Sequence, residues 1–242
     1  MKKFIYTVAI TVSLIIAGLL MLVFTYKAWA TYPTEYLGGK PVYFYEDDEF
    51  IGGLTTSGSI GKQGWVHDGG TATITTSATT NSPGAIDFTH TTAGASRLLC
   101  LKDCAANTGV FDFSYNFDTT VIVSFPTCCT PGYLMYSLYD NPANTNKIGF
   151  SSNNTSSWHA QCTGCAGSPV NLNVTINANT WYKLRIKKTG TSVEFYIDDV
   201  LKTTLTTTAA GDFAPIFLLN WSTTQRTMSI DYWNFIIPSS GR

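Results

Sequence analysis

The sequence predicts an all-β fold: a sandwich of two antiparallel sheets preceded by one hydrophobic N-terminal helix. Three observations carry this. Between Thr180 and Leu205 two alternating runs flank a Gly-containing turn, the pattern of a half-buried antiparallel hairpin. Upstream and downstream of it lie about a dozen short runs rich in β-branched and aromatic residues, each closed by turn residues, with no helical periodicity after Tyr26. The 242 residues combine 44% hydrophobic and 14% aromatic content with only 13% charged residues, enough apolar side chain for one sizeable core.

The N-terminus comes first. Lys2 and Lys3 precede an uncharged run from Phe4 to Tyr26. At about 1.5 Å per residue this run reaches roughly 34 Å, sufficient to cross a hydrocarbon core. Ala28-Trp29-Ala30 also has the small-x-small form of a signal-peptidase site. Residues 1–30 are therefore a signal-anchor helix or a signal peptide, and the length of the apolar run favours the anchor. Either reading exports the rest of the chain, because Lys2 and Lys3 hold the N-terminus inside. Membrane is thus one expected partner. Residues 31–41, with Pro33 and Gly38-Gly39, form a linker; 42–238 form the sandwich; 239–242 are a tail.

Within the domain, Val42 to Tyr45 is the first strand and Glu46-Asp47-Asp48-Glu49 an acidic turn. Trp65 anchors a Gly/Ser/Thr loop in the core. Thr71 to Thr76, Ala85 to His90, Arg97 to Leu101, Val110 to Phe117 and Thr120 to Phe125 follow as strands. Tyr133 to Tyr139, Lys147 to Ser151, Ser157 to Gln161 and Val170 to Ile176 continue the series. In the central hairpin Tyr182, Leu184 and Ile186 alternate with Trp181, Lys183, Arg185 and Lys187, while Val193, Phe195 and Ile197 alternate with Glu194, Tyr196 and Asp198. Basic and acidic outward faces suit cross-strand pairing. Asp198-Asp199 makes a second tight turn, since Asp tolerates left-handed backbone. Ile216 to Trp221 and Thr227 to Ile237 close the sheets.

The Trp181-Tyr-Lys-Leu-Arg-Ile strand with Val193-Glu-Phe-Tyr-Ile-Asp-Asp-Val-Leu resembles the late hairpin of the concanavalin A-like lectin/glucanase (laminin-G-like) jelly rolls. The opener Asp47-Asp48-Glu49-Phe50-Ile51-Gly52-Gly53 with Ser59-Ile60-Gly61-Lys62-Gln63-Gly64-Trp65 resembles members associated with phage particles. The resemblance spans roughly Tyr43 to Ile237 and implies a concanavalin A-like jelly roll without a catalytic signature. It implies a virion or cell-surface structural or attachment protein, able to bind glycan or to self-associate. The alternative it leaves is a secreted carbohydrate-binding module, or a glycoside hydrolase.

Six cysteines follow the export segment: Cys100 and Cys104, the neighbours Cys128 and Cys129, and Cys162 and Cys165. An even count in an oxidising compartment points to disulfides. Adjacent cysteines rarely bond each other, so Cys128 and Cys129 are expected to reach the 162/165 loop, with Cys100 and Cys104 closing locally. A zinc site would need further ligands, and His67, His90 and His159 lack ligand spacing.

Function classes narrow as follows. Removing Lys2, Lys3 and Lys27 from the 15 basic residues leaves 12 against 16 acidic ones, a net of about −4, with no basic stripe for nucleic acid. Glycosidases of this fold carry paired carboxylates on one strand face, usually Glu-x-Asp-x-x-Glu, and the chain has only Glu35, Glu46, Glu49 and Glu194. Glu194 and Asp198 stand roughly 13 Å apart along their strand, too far for a retaining pair. No Gly-x-Ser-x-Gly element is present. The expectation is therefore a protein that is not an enzyme and needs no cofactor, with calcium at Asp47, Asp48 and Glu49 the one metal its turns suggest. Tyr136, Tyr139, Asp140, Asn141, Trp158 and His159 concentrate the rings, amides and carboxylates that bind sugars, and form the expected carbohydrate patch.

Overall fold

A computed structural model describes residues 42–48, 63–67, 72–76, 85–90, 96–101, 111–126, 132–139, 146–152, 155–221 and 226–238. The chain divides into Met1–Tyr43 and Phe44–Arg242, and the sandwich belongs to the second. The expected N-terminal helix, the linker and the tail lie outside the described residues. Among the described residues no helix is long and apolar enough to cross a membrane.

Sixteen strands form among these residues, and they pair antiparallel. They are β1 (Val42–Asp48), β2 (Trp65–His67), β3 (Ala72–Thr76), β4 (Ile86–His90), β5 (Ser96–Leu101), β6 (Phe111–Asp112), β7 (Phe117–Ser124) and β8 (Gly132–Tyr139). Then follow β9 (Lys147–Ser151), β10 (Ser157–Cys162), β11 (Val170–Thr175), β12 (Trp181–Thr189), β13 (Ser192–Ile197), β14 (Val200–Thr206), β15 (Asp212–Trp221) and β16 (Arg226–Pro238). The first sheet runs β14-β13-β12-β7-β16-β4-β3, with β1 also on β16. The second runs β11-β10-β9-β8-β15-β5-β2, with β6 also on β15.

The hairpin forms as its residues dictate. Thr189 pairs with Ser192, leaving Gly190-Thr191 as a two-residue loop with Gly190 at φ +58°, the position a II′ turn reserves for glycine. Ile197 pairs with Val200, and Asp198 and Asp199 take φ of +52° and +62°, the two left-handed residues of a I′ turn. The Asp198 carboxylate accepts the Lys183 N–H at 2.9 Å and so secures the turn. Burial alternates along both strands, with Val193, Phe195 and Ile197 inside.

Two local expectations are corrected. The acidic stretch continues β1 through Asp48 instead of turning at Glu46. The run Val110 to Phe117 is broken: Asp112 Oδ1 accepts the Ser114 N–H at 2.7 Å and the Asp112 carbonyl accepts that of Tyr115 at 3.2 Å. That Asx turn ends β6 after two residues. In β16 the register shifts between Ile230 and Tyr232, so inward positions change from Met228 and Ile230 to Trp233, Phe235 and Ile237. One extra residue reverses the parity of everything after it.

Between the sheets lies a core dominated by aromatic rings. Trp65 meets Trp233 edge-on at 5.2 Å, Phe111 stacks on Phe235 at 4.0 Å, and Phe150 meets Phe195 edge-on at 5.3 Å. One polar network crosses it. The Tyr136 hydroxyl of the second sheet accepts the Trp233 Nε1–H at 3.0 Å and bonds Thr119 Oγ1, both on the first sheet.

Candidate functional site

The outer face of the second sheet, the one turned away from the core, is where the chemistry-bearing residues gather. Its composition follows from period-two alternation. Phe111, Phe213, Phe217, Tyr136, Leu138, Ile148, Phe150 and Trp158 point inward, so Asp112, Asp212, Ala214, Ile216, Ser137, Tyr139, Lys147, Gly149, Ser151, His159 and Gln161 share the outer face.

Register orders this face into rows. Asp112 and Asp212 stand directly opposite each other at one end. One step along β15, Ala214 pairs with Tyr139, which pairs with Lys147. The next row holds Ile216, Ser137, Gly149 and Gln161; Ser151 and His159 follow beyond. A Cβ at Gly149 would stand 2.7 Å from Ser137 Cα and Cβ, so only glycine permits β9 to close on β8 here. Ser137, Ser151, His159 and Gln161 are buried, and the His159 Nδ1 lies 3.0 Å from the Ser157 carbonyl oxygen. Accessible surface remains at Asp112, Asp212, Tyr139 and Lys147. Tyr139 packs beside Leu218 on a small apolar cluster of Cys100 and Ile216.

Asp112 and Asp212 are the only carboxylates on the strands of this sheet. Residues directly opposite hold their Cβ atoms about 4.5–5.5 Å apart, and like charges so placed destabilise a ladder. Asp112 also lines a cavity of about 450 Å³ at the end of the sandwich. Its walls come from the β6–β7 turn, the β12–β13 hairpin and the β14–β15 connection. Lys188, the last inward-facing residue of β12, lines it as well. Burial pushes the Lys188 ammonium below the usual lysine range, with Asp112 pulling back the other way.

The four described residues of the expected carbohydrate patch are divided between the two faces of the sheet. Tyr136 and Trp158 lie on the core face, each 1% exposed, whereas Tyr139 and His159 lie on the outer face. Burial also pushes the Tyr136 hydroxyl well above the usual tyrosine range. Asp140 and Asn141 lie outside the described residues, as does Glu49; of Asp47 and Asp48 only the backbone, in β1, is described. Among the described residues no three His, Cys, Asp or Glu side chains gather as a metal site. The sequence does not reveal the Asp112–Asp212 pair, because its members are 100 positions apart, Asp112 inside the run Val110 to Phe117 and Asp212 ahead of the strand that begins at Ile216.

The cysteine pairing is also corrected. Cys162 and Cys165 bond each other, with Gly164 at φ +70° between them turning the chain back, so this loop does not receive Cys128 and Cys129. Cys100 is disulfide-bonded too. Cys104, Cys128 and Cys129 lie outside the described residues.

The outward basic strand pairs differently from a simple hairpin ladder. Arg185 forks onto Asp118 of β7 and lies 5.2 Å from the centre of the Tyr196 ring, while Lys187 pairs with Glu194 at 3.2 Å and Lys183 with Asp199 at 2.8 Å. Glu194 is thus an ion-pair partner on the first sheet, remote from the outer face of the second.

No protein-family model and no curated protein matches the sequence. Solved structures do match the fold. A protein of unknown function from Shewanella oneidensis is 18% identical at a TM-score of 0.55, over 82% of this chain and 88% of that one. The endo-β-galactosidase from Clostridium perfringens that releases GlcNAcα1-4Gal is 13% identical at 0.58, over 87% of this chain and 66% of that one. A family GH16 protein of the mixed-linkage glucan locus of Bacteroides ovatus is 12% identical at 0.54, over 78% and 98%. Others are glycoside hydrolases or a transglycosylase. These neighbours overturn the expectation of a non-catalytic virion or cell-surface structural and attachment protein that is not an enzyme. The neighbours named above with a stated activity act on carbohydrates. The two antiparallel sheets and these likenesses give this chain the fold of the concanavalin A-like jelly-roll superfamily.

Proposed function

We propose that the domain is an exported glycoside hydrolase or transglycosylase that works on a glycan laid along the outer face of the second sheet. One observation carries the reading: Asp112 and Asp212 face each other across β6 and β15, beside the accessible Tyr139 and Lys147. Two carboxyl groups about 5–5.5 Å apart are what a retaining mechanism uses, one as nucleophile and one as acid and then base. Side-by-side carboxylates are a local conflict in a ladder, and such conflicts concentrate at functional sites. The cationic transition state of glycosyl transfer is the species such a pair would stabilise. Tyr139 offers a ring edge for a sugar, and Lys147 a donor for its hydroxyl groups. Support for the substrate class comes from the fold's carbohydrate-active members, which include an endo-β-galactosidase and a transglycosylase. The disulfide between Cys162 and Cys165 suits an oxidising compartment.

The test is a screen of neutral and acidic polysaccharides and oligosaccharides for new reducing ends and for transfer products. Wild-type protein should cleave or transfer at least one class. Asp112→Asn and Asp212→Asn should each reduce turnover at least 100-fold with the melting temperature retained, consistent with about 3 kcal/mol of lost transition-state stabilisation. Turnover that survives both substitutions, or no cleavage and no transfer with any glycan, would overturn the proposal.

A further inference from the structure

Lys188 continues the inward row of Tyr182, Leu184 and Ile186, where an apolar side chain would complete the core. It is instead a lysine, only 5% exposed. Burying an ammonium is costly unless its donors are matched. Its Nζ donates to the Tyr115 carbonyl at 3.2 Å, one partner for three N–H groups. Asp112 attracts it from a distance without closing an ion pair, and one Asp112 oxygen is already held by the Ser114 N–H. Lys188 and Asp112 both line the cavity of about 450 Å³, a size within the range of about 300–1,000 Å³ typical of small-molecule sites. The rest of its wall sets the hydroxyl-bearing Ser114, Thr191 and Thr208 beside the apolar Phe113, Ala209 and Ala210. These groups suit a polyhydroxylated ring, and the buried cation suits a negative charge on it.

We propose that this cavity selects a sugar bearing an anionic substituent, a carboxylate or a sulfate, which Lys188 neutralises while the serine and threonine hydroxyls take the ring's hydroxyl groups. This rests on the reading of the domain as glycan-acting and names its substrate class. A sugar seated there would present its linkage at Asp112, the member of the carboxylate pair that lines the cavity.

The experiment is calorimetric binding of three matched oligosaccharide sets to the Asp212→Asn chain: uronic-acid oligosaccharides, the same chains with the carboxyl groups reduced to alcohols, and sulfated counterparts. The anionic sets should bind at least tenfold tighter than the reduced set, and the better of the two identifies carboxylate or sulfate as the substituent. Lys188→Met in the same background should abolish that preference, and Lys188→Arg should keep part of it. Thermal unfolding of Lys188→Met should be unimpaired, because the substitution removes a buried charge and retains the volume. Equal binding of reduced and anionic sets, or a preference that survives Lys188→Met, would overturn the inference. If neutral glycans are turned over in an Asp112- and Asp212-dependent way meanwhile, the enzymatic reading stands and only the substrate class fails. Absence of binding by every set, with no turnover of any glycan, would sink both.

Discussion

Tyr136→Phe tests whether this ring is a strut of the core or a platform for sugar. The change removes one oxygen, and hydrogen-bond accounting gives its cost. Thr119 has a single hydroxyl proton, and that proton goes to the Asn234 carbonyl at 2.6 Å. Tyr136 must therefore donate to Thr119 and accept from Trp233 Nε1 at 3.0 Å. Without the oxygen, Thr119 loses only a donor to its lone pair, but the fully buried Trp233 indole N–H is left with no partner. An orphaned buried donor costs about 1–3 kcal/mol. For a domain of this size each kcal/mol lowers the melting temperature by about 2–4 °C, so the midpoint should fall by roughly 2–12 °C with the native circular dichroism retained. A double-mutant cycle with Trp233→Phe should return a coupling of about 0.5–3 kcal/mol, because the two groups share one bond across the sheets. Glycan turnover, corrected for the folded fraction, should not change. An unaltered midpoint together with lost sugar binding would refute this assignment and return Tyr136 to the sugar-contacting role that its residue type suggests.

Phe195→Ala should cost about 3–5 kcal/mol in chemical denaturation, since the ring is fully buried against Phe150 and its removal leaves a cavity; a loss below about 1 kcal/mol would place it outside the core. Glu194 is held below the ordinary glutamate range by the Tyr196 hydroxyl at 2.7 Å and then by Lys187. A lowered folded value stabilises the protein above the unfolded value, near 4.3, and that contribution disappears as pH falls through the folded one. Glu194→Gln should accordingly flatten the acid limb of the stability profile while costing less than about 1 kcal/mol at neutral pH, as partly exposed pairs do; an identical acid limb in the variant would show that the carboxylate is not stabilised by folding.

How much of this was legible in the sequence differs between local and distant features. Periodicity and turn chemistry located most strands, and at the hairpin they also determined the register: Gly190, Asp198 and Asp199 can each adopt φ values that most residues resist, so the turns leave one pairing. The alternation of Val193, Phe195 and Ile197 with charged neighbours named the core face without ambiguity. In β8 the same argument fails, because Tyr133, Met135, Ser137 and Tyr139 on one side and Leu134, Tyr136 and Leu138 on the other are nearly as apolar as each other. Only packing against Trp233 and Thr119 decided that Tyr136 turns inward, and the division of the expected sugar patch follows from it. The parity change in β16 is hidden for a related reason: a bulge is set by the partner strand, here β7, and leaves no mark in the bulged segment's own composition. The Asp112–Asp212 pair and the Lys188 cavity required the tertiary structure most of all. Period two assigns a residue to a face of its own strand, but which strands become neighbours depends on burying both sheets at once, a property of the whole chain and of no single segment.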